Sequence, residues 1–122
     1  MTLNLGSVLQ RSAAQHGRQT ALIDTTDRLT YAELDRRVRG FAGGLLEGGF
    51  GRGQKVAIMV PNTAAFTIAY YGTLYAGGTV VALCTLLSGD EVEYQLGDSE
   101  AEVLVLSEDF MRAGLQGYRA AR

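Results

Sequence analysis

The chain is expected to fold as an α/β protein, with parallel βα units preceded by a short helix and a hairpin and no second domain within its 122 residues. Three observations predict this. From Glu33 onward, stretches with helical spacing alternate with short apolar runs, the pattern of parallel strands joined by right-handed helical crossovers. Between Val56 and Gly89 no side chain is charged, and Pro61-Asn62, Gly72 and Gly77-Gly78 break that tract into pieces. The runs Val56–Val60 and Val80–Leu83 lack the apolar/polar alternation of a half-exposed strand, as expected for strands covered on both faces.

Taken in order, Leu5, Val8, Leu9, Ser12 and Ala13 recur at helical spacing, with Asn4 as the cap and Gly17 just past the end. Thr20 to Asp24 and Arg28 to Thr30 read as two short strands joined by a polar turn, Asp24-Thr25-Thr26-Asp27, that lacks glycine. Thr30 and Glu33 then stand at capping-box spacing. The hydroxyl accepts from the third helical amide and the carboxylate reaches back to the cap's own amide, a device worth about 1 kcal/mol. The helix that starts there keeps Leu34, Val38, Phe41, Ala42, Leu45 and Leu46 on one stripe and ends in Gly48-Gly49. After the strand Val56–Val60, Pro61-Asn62 supplies a turn and a cap for a helix from Ala64 to Ala76, and the strand Val80–Leu83 follows. Ser88 and Glu91 repeat the capping spacing ahead of Val92, Tyr94, Gln95 and Leu96. Gly97-Asp98-Ser99 separates this helix from a last strand, Ala101–Leu106, and the weakly patterned tail after Asp109 reads as a partial helix.

The uncharged tract is not a bilayer span. Such a helix wants about 20 continuous apolar residues, and glycine and proline weaken a helix interior by about 1 and 3 kcal/mol. A buried core is the better reading. On the helix, Phe66, Tyr70 and Leu74 form one stripe and Ile68, Tyr71 and Tyr75 another, opposite the small residues Ala65, Ala69, Gly72 and Ala76. An all-round apolar helix is expected to be buried all round, with its tyrosines packed in the core and each hydroxyl partnered. A core of this kind needs more protein than so short a chain supplies. Alone, the chain is expected to self-associate or to expose an apolar patch, with Ala101–Leu106 as an unpaired edge.

Length allows one core, burying roughly 65% of the extended-chain surface. The net charge of −2 and a pI near 5.3 argue against nucleic-acid or anionic-membrane partners; Arg36, Arg37 and Arg39 cluster on what reads as a solvated helix face. Cys84 is the only cysteine, which forbids an internal disulfide, and its apolar setting predicts a small buried side chain rather than a nucleophile. Met1-Thr2-Leu3-Asn4-Leu5 carries no basic region leading into an apolar stretch. A cytoplasmic location is expected.

No residue is assigned a catalytic, cofactor-binding or metal-binding role. Gly48-Gly49-Phe50-Gly51-Arg52-Gly53 lacks the G-x-G-x-x-G spacing, and it follows a helix and precedes a strand, so no helix N-terminus faces a phosphate there. His16 stands alone beside a helix end. Asp90, Glu91 and Glu93 open a helix, where acidic side chains suit the positive dipole end. Lys55, the sole lysine, precedes a strand rather than sitting in a glycine-rich loop, which excludes a P-loop.

Three segments in order carry a resemblance: Leu29-Thr30-Tyr31-Ala32-Glu33-Leu34, Gly53-Gln54-Lys55-Val56-Ala57-Ile58-Met59-Val60-Pro61-Asn62, and Tyr71-Gly72-Thr73-Leu74-Tyr75-Ala76-Gly77-Gly78. Leu86-Leu87-Ser88, Glu91 and Leu96-Gly97-Asp98-Ser99 extend it. From about Leu5 to Asp109 the chain resembles the opening of an AMP-forming adenylating enzyme, the superfamily of acyl-CoA synthetases, peptide-synthetase adenylation domains and luciferases, and it is most similar to the acyl-CoA synthetases. The resemblance implies that residues 1–122 are a partial N-terminal subdomain of an acyl-adenylating ligase. It implies ATP and Mg²⁺ for activating a carboxylic acid as an acyl-adenylate, and coenzyme A as acceptor, in the full-length family, with none of these bound by this chain alone. The family's phosphate loop, catalytic lysines and ribose-binding aspartate match nothing here, so the chain is expected to be catalytically silent alone, with the remainder of the ligase as its partner. Where such enzymes commonly read Val-Pro-Leu-Asn, this chain reads Val81-Ala82-Leu83-Cys84, a departure that bears on the loop that follows. The alternatives are a free-standing module that binds itself or an intact ligase, and an adenylation-domain fragment of a peptide synthetase.

Overall fold

The computed structural model describes residues 4–122. A helix α1 (Gly6–His16) leads into a hairpin of β1 (Thr20–Ile23) and β2 (Arg28–Thr30). Then come α2 (Tyr31–Glu47), β3 (Lys55–Met59), α3 (Ala64–Tyr75), β4 (Thr79–Ala82), α4 (Gly89–Ser99), β5 (Val103–Leu106), a 3-10 turn at Glu108–Phe110 and α5 (Met111–Ala120). β1 and β2 pair antiparallel, with Leu22 opposite Leu29. The other three strands form a parallel sheet in the order β4-β3-β5, with Ile58 opposite Ala82 on one side and Val105 on the other.

The predicted order of elements is present, and its anchors are chemical. Asn4 Oδ1 accepts from the Gly6 amide at 2.7 Å, while its Nδ2 donates to the Leu74 carbonyl at 3.0 Å, tying the start of α1 to the end of α3. Both capping boxes are formed: Thr30 with Glu33 at the head of α2, Ser88 with Glu91 at the head of α4. The backbone amides of Thr30 and Ser88 hold the Glu33 and Glu91 carboxyls below their ordinary range. Gly49, with φ of 93°, turns the chain out of α2 in a conformation that costs a side-chain-bearing residue energy.

The cap of α3 is not where the sequence suggests. Asn62 is exposed, and the residue preceding the helix, Thr63, makes no capping bond. Instead Asp24 serves from the hairpin turn, 40 residues away: its Oδ2 accepts from the Ala64 amide at 2.8 Å, while Oδ1 accepts from the amides of Thr26 and Asp27. This Asx-type turn closes the hairpin without glycine. The three amides pull the Asp24 carboxyl down to about 2. Because the folded value lies below the ordinary value of about 4, its stabilisation is present above that pH and is lost as pH falls toward 2.

The two faces of the three-stranded sheet are covered by different helices. Val56, Ile58 and Val60 on one face pack with Ala42 of α2, Ala69 of α3 and Ala76 just past its end, joined by Val80, Val103 and Val105. Ala57 and Met59 on the other pack with Val92 and Leu96 of α4, joined by Leu104, Leu106 and Tyr118. A third cluster, with Leu9, Leu29, Leu34, Val38 and Ala64, seats α1 and the hairpin on the α2–α3 pair. β3 is therefore central and buried from Val56 to Met59, as that unalternated run implies.

Other expectations need correction. β4 is an edge strand with Thr79 and Ala82 exposed; Val80 packs on one face of the sheet and Val81 on the other, so its apolar run reflects two covered faces rather than a central place. α3 is not buried all round. Its small face, Ala69, Gly72, Thr73 and Ala76, is buried, but Ala65 is exposed and the aromatic stripes are half-buried. Among its three tyrosines only Tyr75 shows a hydrogen bond within the described residues, from its hydroxyl to Asp35 Oδ1 at 2.7 Å. Burial first, then the Asp35 contact, keep that hydroxyl protonated well above its ordinary range. α4 runs through Gly97-Asp98-Ser99 and stops at Glu100, which takes the left-handed φ of 60°. The tail is a complete helix, α5, whose Gly114 and Gly117 are buried against Leu106 and Val92.

Candidate functional site

In parallel α/β sheets, ligands bind outside the carboxyl ends of the strands, where the strand order reverses. Here the chain leaves β3 for β4 on one side and then crosses to β5 on the other, so that point lies beside β3. Three segments leave the sheet at this end: Val60 to Thr63, Leu83 to Ser88, and Ser107 to Phe110. Between the second and third lies a groove of about 470 Å³, lined by Leu86, Leu87, Phe110 and Ala113 with Asp109 and Arg112 at its rim. The groove is largely apolar, and Leu86 is 87% exposed beside it.

The amides that open α4 at this rim are partly occupied by the chain itself. Ser88 Oγ accepts from the Glu91 amide at 3.3 Å and Glu91 Oε1 from the Ser88 amide at 2.9 Å, which puts a carboxylate where an anion would sit.

The charged residues weighed in the sequence have other employment. Lys55 starts β3, at the opposite end of the sheet, and its Nζ donates to the Ser99 carbonyl at 2.8 Å, closing the end of α4. The loop Gly48 to Gly53 lies at that same opposite end, where Gly51 donates to Gln54 Oε1. Arg36, Arg37 and Arg39 are exposed; Arg39 pairs with Asp35 at 2.8 Å and Arg37 approaches Asp27 at 3.9 Å. His16 is exposed at the end of α1. Cys84 is exposed, not buried: β4 ends at Ala82, Leu83 turns inward, and Cys84 falls on the outward side of the departing loop. Among the described residues, no three histidine, cysteine or carboxylate side chains gather as a metal site, and no helix is long and apolar enough to cross a membrane.

The model of the AMP-binding enzyme family matches residues 9–120. This chain belongs to that family. The curated relatives include a long-chain-fatty-acid–CoA ligase of Escherichia coli O6:H1, 34% identical over 108 residues that make up 88% of this chain and 19% of the relative. Among solved structures, a benzoate CoA ligase from Burkholderia xenovorans LB400 superposes with a TM-score of 0.93 at 31% identity, covering 98% of this chain and 24% of that one. The N-terminal domain of FACL13 from Mycobacterium tuberculosis gives a TM-score of 0.89 at 28% identity, covering 98% of this chain and 30% of that one. The chain thus corresponds to an N-terminal portion of an AMP-forming ligase and spans about a fifth of the length of the curated relatives it matches.

The AMP-binding residues that define the family's chemistry are not assigned to any position here. What the sequence missed is architectural: Asp24 as the cap of α3 and the groove at the carboxyl rim. Neither is signalled by local spacing, because each joins segments far apart in the chain.

Proposed function

We propose that this chain is the N-terminal subdomain of an AMP-forming acid–CoA ligase, and that residues 1–122 do not catalyse without the remainder of that enzyme. The complete ligase activates a carboxylic acid with ATP and Mg²⁺ as an acyl-adenylate and passes the acyl group to coenzyme A. The family match over residues 9–120 carries the reading. The relatives named for long-chain fatty acids and for benzoate share an apolar acyl group, which supports an apolar carboxylic acid as the substrate class. The chemistry of the segment supports its incompleteness: transferring phosphoryl groups need preorganised cationic donors, whereas Lys55 is committed to Ser99 and Arg39 to Asp35.

The contribution of these 122 residues is a scaffold. They supply a central strand, two helical layers and a carboxyl rim against which the rest of the ligase packs. The test is thioester formation by the longer protein that contains this segment, supplied with ATP, Mg²⁺, coenzyme A and either palmitate or benzoate. Formation of an acyl-CoA from at least one apolar acid is expected. Adenylation of amino acids alone, without thioester formation on coenzyme A, would move the protein to the peptide-synthetase branch.

A stand-alone interaction module is the second reading, favoured by the free outer edges of β4 and β5 and by the exposure of Leu86 and Tyr94. The intact mass of the native protein separates the two.

A further inference from the structure

The three segments that leave the sheet at its carboxyl end are not held alike. Leu83 donates its amide to the Ile58 carbonyl at 2.9 Å and Ser107 donates to the Met59 carbonyl at 3.2 Å, so the segments after β4 and β5 are each stitched to the backbone of β3. The segment after β3 itself, Val60 to Thr63, holds only to its own turn, in which the Thr63 amide and hydroxyl both donate to the Pro61 carbonyl, at 2.7 and 3.3 Å. Pro61 has no amide hydrogen to offer a neighbour. Where this segment enters α3, the Ala64 amide donates to Asp24 Oδ2 at 2.8 Å. Among the described residues, no other side chain from outside this stretch makes a hydrogen bond to residues 60–64.

The other Asp24 oxygen belongs to the hairpin. Oδ1 accepts from the Thr26 and Asp27 amides at 2.9 and 2.7 Å, and Leu22 and Leu29 of the hairpin pack in the same cluster as Ala64 and Ile68. One carboxylate therefore bridges the hairpin and the mouth of the β3–α3 connection. Ligands of parallel α/β sheets lie at this rim, beside the strand where the order reverses, and a misplacement of about 1 Å in a substrate-positioning element costs up to about 100-fold in rate.

From this geometry we infer that Asp24 is a positioning residue of the ligase reaction, whose bond to Ala64 fixes the Val60–Thr63 segment at the carboxyl rim where substrate binds. The inference rests on the proposed function, since the reaction is that of the longer ligase. A cap for α3 alone is available more simply from Thr63, whose extended backbone (φ −124°, ψ 179°) is that of a capping residue, yet its hydroxyl turns back to Pro61. The cap comes instead from a separate element, so it sets where the segment lies as well as how firmly the helix starts.

Asp24→Asn separates the two roles. The remaining side-chain oxygen keeps the two turn amides, whereas the amide group in place of Oδ2 cannot accept from Ala64. In the longer ligase, thioester formation from ATP, coenzyme A and palmitate or benzoate, normalised to the burst of acyl-adenylate, should show KM for at least one of the three substrates raised at least about 5-fold with kcat within about twofold. Adding Thr63→Asp supplies a local cap to α3; the urea midpoint should then return toward that of the unsubstituted protein while KM stays raised. KM unchanged in Asp24→Asn, or restored together with the midpoint in the double variant, overturns the positioning role and leaves Asp24 a helix cap. No acyl-CoA from the unsubstituted longer protein overturns the proposed function, and this role with it.

Discussion

Replacing Ile58 by alanine is expected to cost about 4 kcal/mol, toward the upper end of the range for large-to-small changes in a core. Ile58 has no solvent exposure and lies on the central strand between Ala82 of β4 and Val105 of β5. Its face packs under both α2 and α3, so a truncated side chain leaves a void that several rigid elements would have to close together. A domain of this size is stable by about 5–15 kcal/mol in all, which makes this single change a large part of the total. Equilibrium urea unfolding measures it, as a lowered midpoint with the slope unchanged. A loss below about 1 kcal/mol would mean that the sheet face is not packed as described.

The second large effect is expected at Gly72, where α3 packs against Phe41 of α2. A Cβ placed on Gly72 would overlap the Phe41 ring and lie 3.0 Å from Phe41 Cβ. The obstacle includes the root of the aromatic side chain, which a rotamer change does not remove. Gly72→Val should therefore destabilise by about 3 kcal/mol through overpacking. That exceeds the roughly 1 kcal/mol or less that leaving glycine gains within a helix. Combining it with Phe41→Ala should give less destabilisation than the sum of the two single changes, by at least about 1 kcal/mol, since the second change removes the ring atoms the first one strikes and leaves only the Cβ. Additivity in that cycle would place the cost somewhere other than the α2–α3 contact.

The parts of this fold that were legible in the sequence are those whose physics is local. Thr30 with Glu33 and Ser88 with Glu91 are partners three residues apart, so their spacing alone announces a helix start, and both boxes are formed. The central place of Val56 to Met59 follows from an apolar run that leaves neither face for water. The parts that were not legible depend on distant neighbours. Asp24 finds the Ala64 amide only because the hairpin folds back on α3.

In α5, Gly114 and Gly117 weaken the helical pattern when read as helix breakers, yet they are where the helix approaches Leu106 and Val92 too closely for a side chain. β4 reads like a central strand because valine-rich runs look alike whether one edge or both edges are paired. The exposure of Cys84 turns on the path of the loop that leaves β4 after Ala82. Residue type says little about such a path. The candidate groove was not legible, because at Leu86 and Phe110 it needs two loops that only the sheet brings together.

As proposed, these 122 residues are a structural part of an adenylating ligase and not a catalyst by themselves. Exchange of labelled pyrophosphate into ATP in the presence of apolar carboxylic acids tests it most directly, run side by side on the purified 122-residue chain and on the longer protein that contains it. Acid-dependent exchange by the longer protein and none by the chain alone are expected. Robust exchange by homogeneous 122-residue chain, abolished by Lys55→Ala, would contradict it.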